Sequence, residues 1–289
     1  MKSRKLLVKA LVFTMVCLST SYVSANFGRK GSNEKYPLSV LSAVADQTGT
    51  AMVKVNLIQK TPNFKFKHVV LKTISFDVEV QFSGTDLATF ALDGSLPPGN
   101  QKPEAAWTFK ENGDDSVLEV NESSHDFVKG FNINLHSNEG KLKVILPLSV
   151  TSLKIETVSG HSKVIGKTLA QLEIKSVSGD CEGTFEQLTE FERKTVSGET
   201  KIIADFGHIL GKSVSGDFSI ESKNDSPKIE ISTTSGEMKL VFDKKPDVSL
   251  QFSSVSGEFH IDPKFGTLTS GKGSLQIKSV SGDITVGPK

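Results

Sequence analysis

From about residue 150 to the C-terminus, apolar and polar residues alternate, and the phase of that alternation slips by one at a recurring Ser-Gly. Before Gly282, the positions Leu275, Ile277, Ser279 and Ser281 share one face; after it, Ile284 and Val286 continue. The same offsets from Gly236 give Ile229, Ile231, Thr233, Ser235, then Met238 and Leu240; from Gly257 they give Leu250, Phe252, Ser254, Ser256, then Phe259 and Ile261. A period of two in β-branched and aromatic residues predicts half-buried strands. A one-residue slip would turn the second strand's apolar face outward. An extra residue at a bulge or corner, with Gly supplying φ > 0, restores it. Each unit therefore reads as strand, corner, strand around one core.

Seven such corners occur, at "ETVSGH" (156–161), "KSVSGD" (175–180), "KTVSGE" (194–199), "KSVSGD" (212–217), "STTSGE" (232–237), "SSVSGE" (253–258) and "KSVSGD" (278–283). Their glycines, Gly160, Gly179, Gly198, Gly216, Gly236, Gly257 and Gly282, are spaced by 19, 19, 18, 20, 21 and 25 residues. That period is too short for a helical hairpin and suits one coil of a β-solenoid. The expected fold is all-β, a single-stranded parallel β-helix with coils of about 19–21 residues. A β-sandwich is the competing architecture, and the near-constant unit length argues against it. Stacked units place Thr157, Ser176, Thr195, Ser213, Thr233, Ser254 and Ser279 in one hydroxyl ladder beside the corner. Arg193, Gly211 and Thr200 stand where core residues are usual, which predicts less regular coils or an inserted loop there. The final coil is expected to be an exposed edge or a stacking surface for another copy.

Upstream, residues 71–150 show looser strand signals, among them "ISFDVEVQFSG" and "GKLKVILPL", read as irregular first coils. Residues 26–70 are read as a flexible N-terminus and a cap over the core's open end. Residues 1–25 join a basic segment, an apolar run and "VSA" before Asn26, the pattern of a secretory signal peptide. Bulky Val16 before Cys17 argues against lipoprotein processing. Removing this segment takes Lys2, Arg4, Lys5 and Lys9 with it, so the formal charge of +1 becomes −3. A near-neutral chain gives no basis for nucleic acid as a partner. No later stretch approaches the ~20 apolar residues of a membrane span. Cys181 is then the single cysteine, which excludes an internal disulfide or a cysteine zinc site and places the thiol in an inward core slot.

The units "ETVSGHSKV", "KSVSGDCEG", "KTVSGETKI", "KSVSGDFSI", "STTSGEMKL", "SSVSGEFHI" and "KSVSGDITV" resemble the bacterial putative-adhesin domain-of-unknown-function family. The resemblance covers about residues 70–289. It implies an exported β-helix of the envelope without assigned catalysis, and it transfers no functional residue.

Chemistry is sparse. The position after each corner glycine holds His161, Asp180, Glu199, Asp217, Glu237, Glu258 and Asp283. Stacked at ~4.8 Å, these would form an acidic stripe. Ca²⁺ binding or a glycosidase-like carboxylate pair are the sharp readings of such a stripe. Recurrence at one offset is how scaffold positions behave, and Lys175, Lys194, Lys212 and Lys278 are placed to balance the acids. Catalytic groups should break the repeat, and the best breaks, "NDSP" (224–227) and "FDKKPD" (242–247), read as loops. His68, His125, His136, His161, His208 and His260 show no metal-ligand spacing. No catalytic, cofactor-binding or metal residue is assigned, and no cofactor is expected. The function expected is a non-enzymatic binding or structural module of the cell envelope, periplasmic or at the cell surface. Its ligand would be an envelope protein or glycan, and end-to-end self-association is open to it. A polysaccharide-acting enzyme and a periplasmic assembly or stress accessory are the alternatives.

Overall fold

A computed structural model describes residues 40–45, 51–96, 103–122 and 140–289. The signal-peptide segment, His125 and His136 lie outside them. The described chain is all-β apart from one helical turn. Its elements are β1 (Val40–Ala45), β2 (Ala51–Thr61), β3 (His68–Lys72), β4 (Asp77–Ser83), β5 (Ala88–Leu96), α1 (Pro103–Ala106), β6 (Trp107–Asn112), β7 (Asp115–Val120), β8 (Gly140–Pro147), β9 (Ser152–Glu156) and β10 (Ser162–Ile165). They continue with β11 (Thr168–Lys175), β12 (Cys181–Lys194), β13 (Thr200–Lys212), β14 (Phe218–Ser222), β15 (Lys228–Ser232), β16 (Met238–Phe242), β17 (Val248–Ser253), β18 (Phe259–Ile261), β19 (Gly273–Lys278) and β20 (Ile284–Pro288).

The strands form two ladders that face each other across one core. Strands preceding the corners run β6–β7–β3–β9–β11–β12–β13–β15–β19–β17, all parallel except the antiparallel β6–β7 edge pair. Strands following the corners run β8–β4–β10–β12–β13–β14–β16–β20–β18 in parallel, with β1, β2 and β5 added antiparallel outside β8. The long strands β12 and β13 bend from one ladder into the other, so each lends its first half to the second ladder and its last half to the first. Alternate residues along most of the described strands point inward, as in β14 with Phe218, Ile220 and Ser222 buried.

The rungs do not stack in chain order. At the beginning, β3 and β4 lie between the rung of β7 and β8 and that of β9 and β10. At the other end, β19 and β20 are inserted between β15–β16 and β17–β18. The C-terminal coil is therefore paired on both sides, which corrects the expectation that it forms an edge. The edge is the rung of β17 and β18.

Stacking also reveals an eighth corner. Thr73-Ile74-Ser75-Phe76-Asp77 sits directly beside Thr157-Val158-Ser159-Gly160-His161, with Val78 opposite Ser162 in the ladder. Phe76 takes the glycine slot and is fully buried. Its ring fills space left by Gly94 and Gly140, where an added Cβ would come within 2.9 Å and 2.6 Å of it.

The corner glycines serve close packing more than backbone twist. Only Gly198, Gly236 and Gly282 have φ in the left-handed region, which corrects the expectation for the other four. What all seven share is the carbonyl of the adjacent rung's corner. A Cβ on Gly179 would lie 2.1 Å from the Gly160 oxygen, one on Gly216 2.5 Å from that of Gly198, and one on Gly257 2.4 Å from that of Gly282.

The coils carrying Arg193, Thr200 and Gly211 show the expected irregularity as one register shift between Thr184 and Gln187, and on either side of it the ladders stay paired because the odd residues compensate each other. Arg193 is fully buried, and its Nε donates to Thr200 Oγ1 at 3.2 Å. Its Nη2 donates both to Ser176 Oγ at 2.8 Å and to the Gly179 carbonyl at 2.6 Å. At Gly211 the missing side chain makes room for the Phe218 ring, 2.9 Å from where a Cβ would stand.

Candidate functional site: the serine-glycine corner

The corner is where the repeat concentrates its polar groups, and its backbone is a continuous hydrogen-bonded column. Val177 and Ser178 N–H both donate to the Val158 carbonyl, and Val196 and Ser197 N–H both donate to that of Val177. Ser215 continues the column onto Val196, Ser235 onto Val214, Ser281 onto Thr234, and Ser256 onto Val280. At the described start of the column the Glu122 carboxylate, which follows β7 in the preceding rung, is the acceptor beside Ile74 and Ser75. It accepts from Ile74 N at 2.5 Å, Ser75 N at 2.7 Å and Ser75 Oγ at 2.6 Å. Burial pushes the Glu122 carboxyl above its usual range, opposed by these donors.

The hydroxyl ladder turns inward onto this column. Thr157 Oγ1 donates to the Ile74 carbonyl and accepts from Gly160 N, both near 3 Å. Ser176 Oγ meets Thr195 Oγ1 at 3.0 Å. Thr233 and Ser279 donate to the Ser235 and Ser281 carbonyls at 2.8 and 3.1 Å. These bonds satisfy polar groups that the corner buries.

The stripe after the glycine is structural at its aspartates. Asp77 Oδ1 accepts from His161 N at 2.9 Å, Asp180 from Glu199 N at 2.8 Å, Asp217 from Glu237 N at 2.7 Å, and Asp283 from Glu258 N at 2.9 Å. Each aspartate caps the next rung, and the capped position carries Glu or His. In stacking order the stripe reads Asp77, His161, Asp180, Glu199, Asp217, Glu237, Asp283, Glu258, so acceptor and capped residue alternate throughout. The shorter aspartate side chain reaches the neighbouring amide and needs no cation to hold it. Among the described residues no cluster of three or more His, Cys, Asp or Glu is placed to bind a metal.

Two of the four lysines expected to balance these acids pair elsewhere. Lys175 binds Glu173 at 2.6 Å and Lys194 binds Glu192 at 2.5 Å, along their own strands. Lys154 bridges Glu156 and Glu173 on the same outer face, and Lys72 joins Glu156 at 3.1 Å. The Lys154 hydrogen bond holds the Glu156 carboxyl below its ordinary range, with Lys72 adding to the shift. His68 pairs with Asp115 at 2.7 Å on the surface, and His208 lies 3.7 Å from Glu230. Cys181 is buried in the core, and desolvation pushes its thiol up to about 11. The "NDSP" and "FDKKPD" segments meet in a turn where Lys244 binds Asp225 at 2.6 Å and Asn224 donates to the Phe206 carbonyl.

One feature of the corner escaped the sequence reading. Val158, Val177, Val196, Val214 and Val280 are 38–50% exposed, and they stack along the outer edge of the column, with Thr234 standing between Val214 and Val280. Val255, at the end of the stack, is 83% exposed. The difference measures what one neighbour shields: roughly a third of a valine's surface, on the order of 50 Å², or about 1 kcal/mol at ~25 cal/mol per Å². Mutual shielding still leaves a straight apolar ridge in water, bordered by serines. Its signal was present, since six of seven corners carry Val at a position whose phase points away from the core.

The Toastrack DUF4097 family model matches residues 53–207 and again residues 131–287. The chain belongs to this family. The two matches overlap across the central rungs, in keeping with one repeated unit running through both halves. Among solved structures, the chain is similar to a "putative lipid binding protein" of Parabacteroides distasonis (14% identity, 81% of this chain and 96% of that one, TM-score 0.45). It is also similar to a "putative adhesin" of Bacteroides fragilis (13% identity, 81% and 97%, TM-score 0.42). A third is a "putative cell adhesion protein" of Clostridium sporogenes (16% identity, 82% and 100%, TM-score 0.35). No curated protein matches the chain.

Proposed function

We propose that the chain is an exported, non-enzymatic module of the bacterial cell envelope that binds an envelope or surface protein or glycan in the manner of an adhesin. The observation that carries this reading is the valine ridge from Val158 to Val255, an apolar line held in water along a hydrogen-bonded corner. Exposed apolar surface of this length marks contact with another molecule. A solenoid edge offers many equivalent weak contacts in place of one pocket. The engagement of the aspartates as backbone caps supports a scaffold role for the acidic stripe over a hydrolytic one. Export rests on the pattern of residues 1–25. The architecture belongs to the same reading: a parallel β-helix with coils of about 19–21 residues. It is supported by register steps of 19 from Ser162 to Cys181 and 20 from Phe218 to Met238.

The test combines location with binding. Cell fractionation and protease treatment of intact cells should find the mature chain in the periplasm or at the surface. Purified protein should bind isolated envelope, and Val177→Asp with Val196→Asp should abolish binding while leaving the circular dichroism spectrum intact. Cytoplasmic residence, or envelope binding indifferent to the ridge substitutions, would sink the proposal.

A further inference from the structure

The two ends of the rung stack differ in how they are finished. At the start, β6 lies antiparallel outside β7 and carries Lys110 and Glu111. Charged residues of this kind defend a sheet edge against pairing. At the other end, β17 reads VSLQFS and is the single strand of its ladder without a charged residue. Leu250, Phe252, Phe259 and Ile261 are only partly buried there. One rung inward, the equivalent Leu275, Ile277, Ile284 and Val286 are at most 1% exposed.

The segment between β18 and β19 covers half of this end face. Phe265 packs on Phe242 with ring centroids 6.5 Å apart, and the Leu268 carbonyl accepts from Leu250 N at 3.0 Å. Among the described residues, none is paired with the half next to the corner. By the two-residue period, the N–H and C=O of Phe252 face outward as those of Leu250 do. Ser254 Oγ is shielded from solvent without a hydrogen-bond partner, unlike the other ladder hydroxyls described above. The Val255 carbonyl occupies the place in the column that accepts N–H groups at every earlier rung.

We propose that a second copy of the chain covers this open half, across a two-fold axis passing the stacked rings of Phe252 and Phe259, whose centroids lie 4.8 Å apart. At the other end of the stack both ladders finish in antiparallel strands, β6 outside β7 and β5, β2 and β1 outside β8, which do not continue the parallel rungs, so association through the free end is taken to close as a dimer. The charges fit a self-pairing. With β18 antiparallel to its symmetry mate about Phe259, Glu258 of one copy faces His260 of the other, twice. The same axis lays each Val255 against the capping segment of the other copy, removing the most exposed valine of the ridge from water. Strand addition at an undefended edge is a common recognition mode, and here the edge supplies its own complement.

Sedimentation velocity of the full mature chain over a concentration series tests this. The expected result is a monomer–dimer equilibrium at micromolar protein. Val255→Asp should raise the dimer dissociation constant about tenfold or more, because it puts a carboxylate where dimerisation would remove an apolar side chain from water. His260→Glu alone should weaken the dimer about tenfold by setting carboxylates opposite one another, and Glu258→Lys alone by removing the carboxylate that faces the imidazole. The two together should restore it. A chain that stays monomeric up to about 100 μM would overturn the inference, as would a dimer that none of these substitutions alters. Failure of the double variant to recover would do the same. Each species can be checked for folding by its circular dichroism spectrum. The outcome is independent of whether the valine ridge binds an envelope partner.

Discussion

Gly179→Ala isolates the reason for the corner glycine. Gly179 does not occupy the left-handed region, so alanine is allowed there by its backbone. The obstacle is the Gly160 carbonyl, whose oxygen would lie 2.1 Å and carbon 3.0 Å from the new methyl. Both are backbone atoms of a neighbouring rung and cannot rotate away. Relieving the contact requires a shift of about 1 Å against an interstrand spacing of ~4.8 Å. That shift stretches the bonds from Val177 N and Ser178 N to Val158 O, now 3.1 and 2.9 Å, beyond useful length. Two backbone bonds at about 1 kcal/mol each, with disturbed packing beneath, give an expected loss of about 2–4 kcal/mol. Gly84 is the control, because nothing lies within 4 Å of its Cβ position. Gly84→Ala should change stability by less than about 1 kcal/mol, and in the stabilising direction. Urea unfolding followed by circular dichroism measures both, with amide exchange at 157–160 and 176–180 reporting the corner itself. If Gly179→Ala is as stable as Gly84→Ala, close approach of stacked rungs is not why glycine stands at the corner.

The core arginine gives a second test. Thr200→Val should cost about 1–3 kcal/mol by stranding Arg193 Nε, whereas adding Arg193→Met should recover most of it, as removal of both members of a buried polar set does; a double-mutant cycle by urea titration decides. Cys181 should resist a thiol reagent at pH 8 in the folded protein and react only at the unfolding rate, since it is buried with its thiol pushed up to about 11; prompt native labelling would contradict the core placement. For Glu156, the folded pKa lies below the unfolded one, so its contribution to stability is present above the ordinary carboxylate range and lost as pH falls through the lowered folded value. Glu156→Gln should therefore flatten the acid limb of a Tm-versus-pH curve, and an unchanged limb would remove the Lys154–Glu156 pair as a source of acid sensitivity.

Much of the rung was legible in the chain. Period-two alternation placed Phe218, Ile220, Met238 and Leu240 in the core, and the phase slip located the corner, because both follow from local strand geometry. The inward place of Cys181 followed from the same offsets. Compensation was not legible: Arg193 and Gly211 look like defects one at a time, and only the fold sets them beside Thr200 and Phe218. The eighth corner was hidden because Phe76 replaces the glycine, and the space that admits its ring comes from Gly94 and Gly140, far along the chain.

The order of the rungs was the tertiary structure's decision. Every rung offers its neighbours nearly the same ladder of backbone groups, so a repeat of about 20 residues specifies the layers and leaves their sequence in the stack open. A trace of that order was nevertheless present. In chain order the acids after the corner run Asp217, Glu237, Glu258, Asp283 and break their alternation. Placing β19–β20 inside β17–β18 restores it, because an aspartate must stand one rung before the amide it caps. The chain by itself determined strands, corner and inward face through short-range periodicity. Which rung lies at the open end, and so which residues can meet another molecule, was decided by contacts between segments distant in sequence.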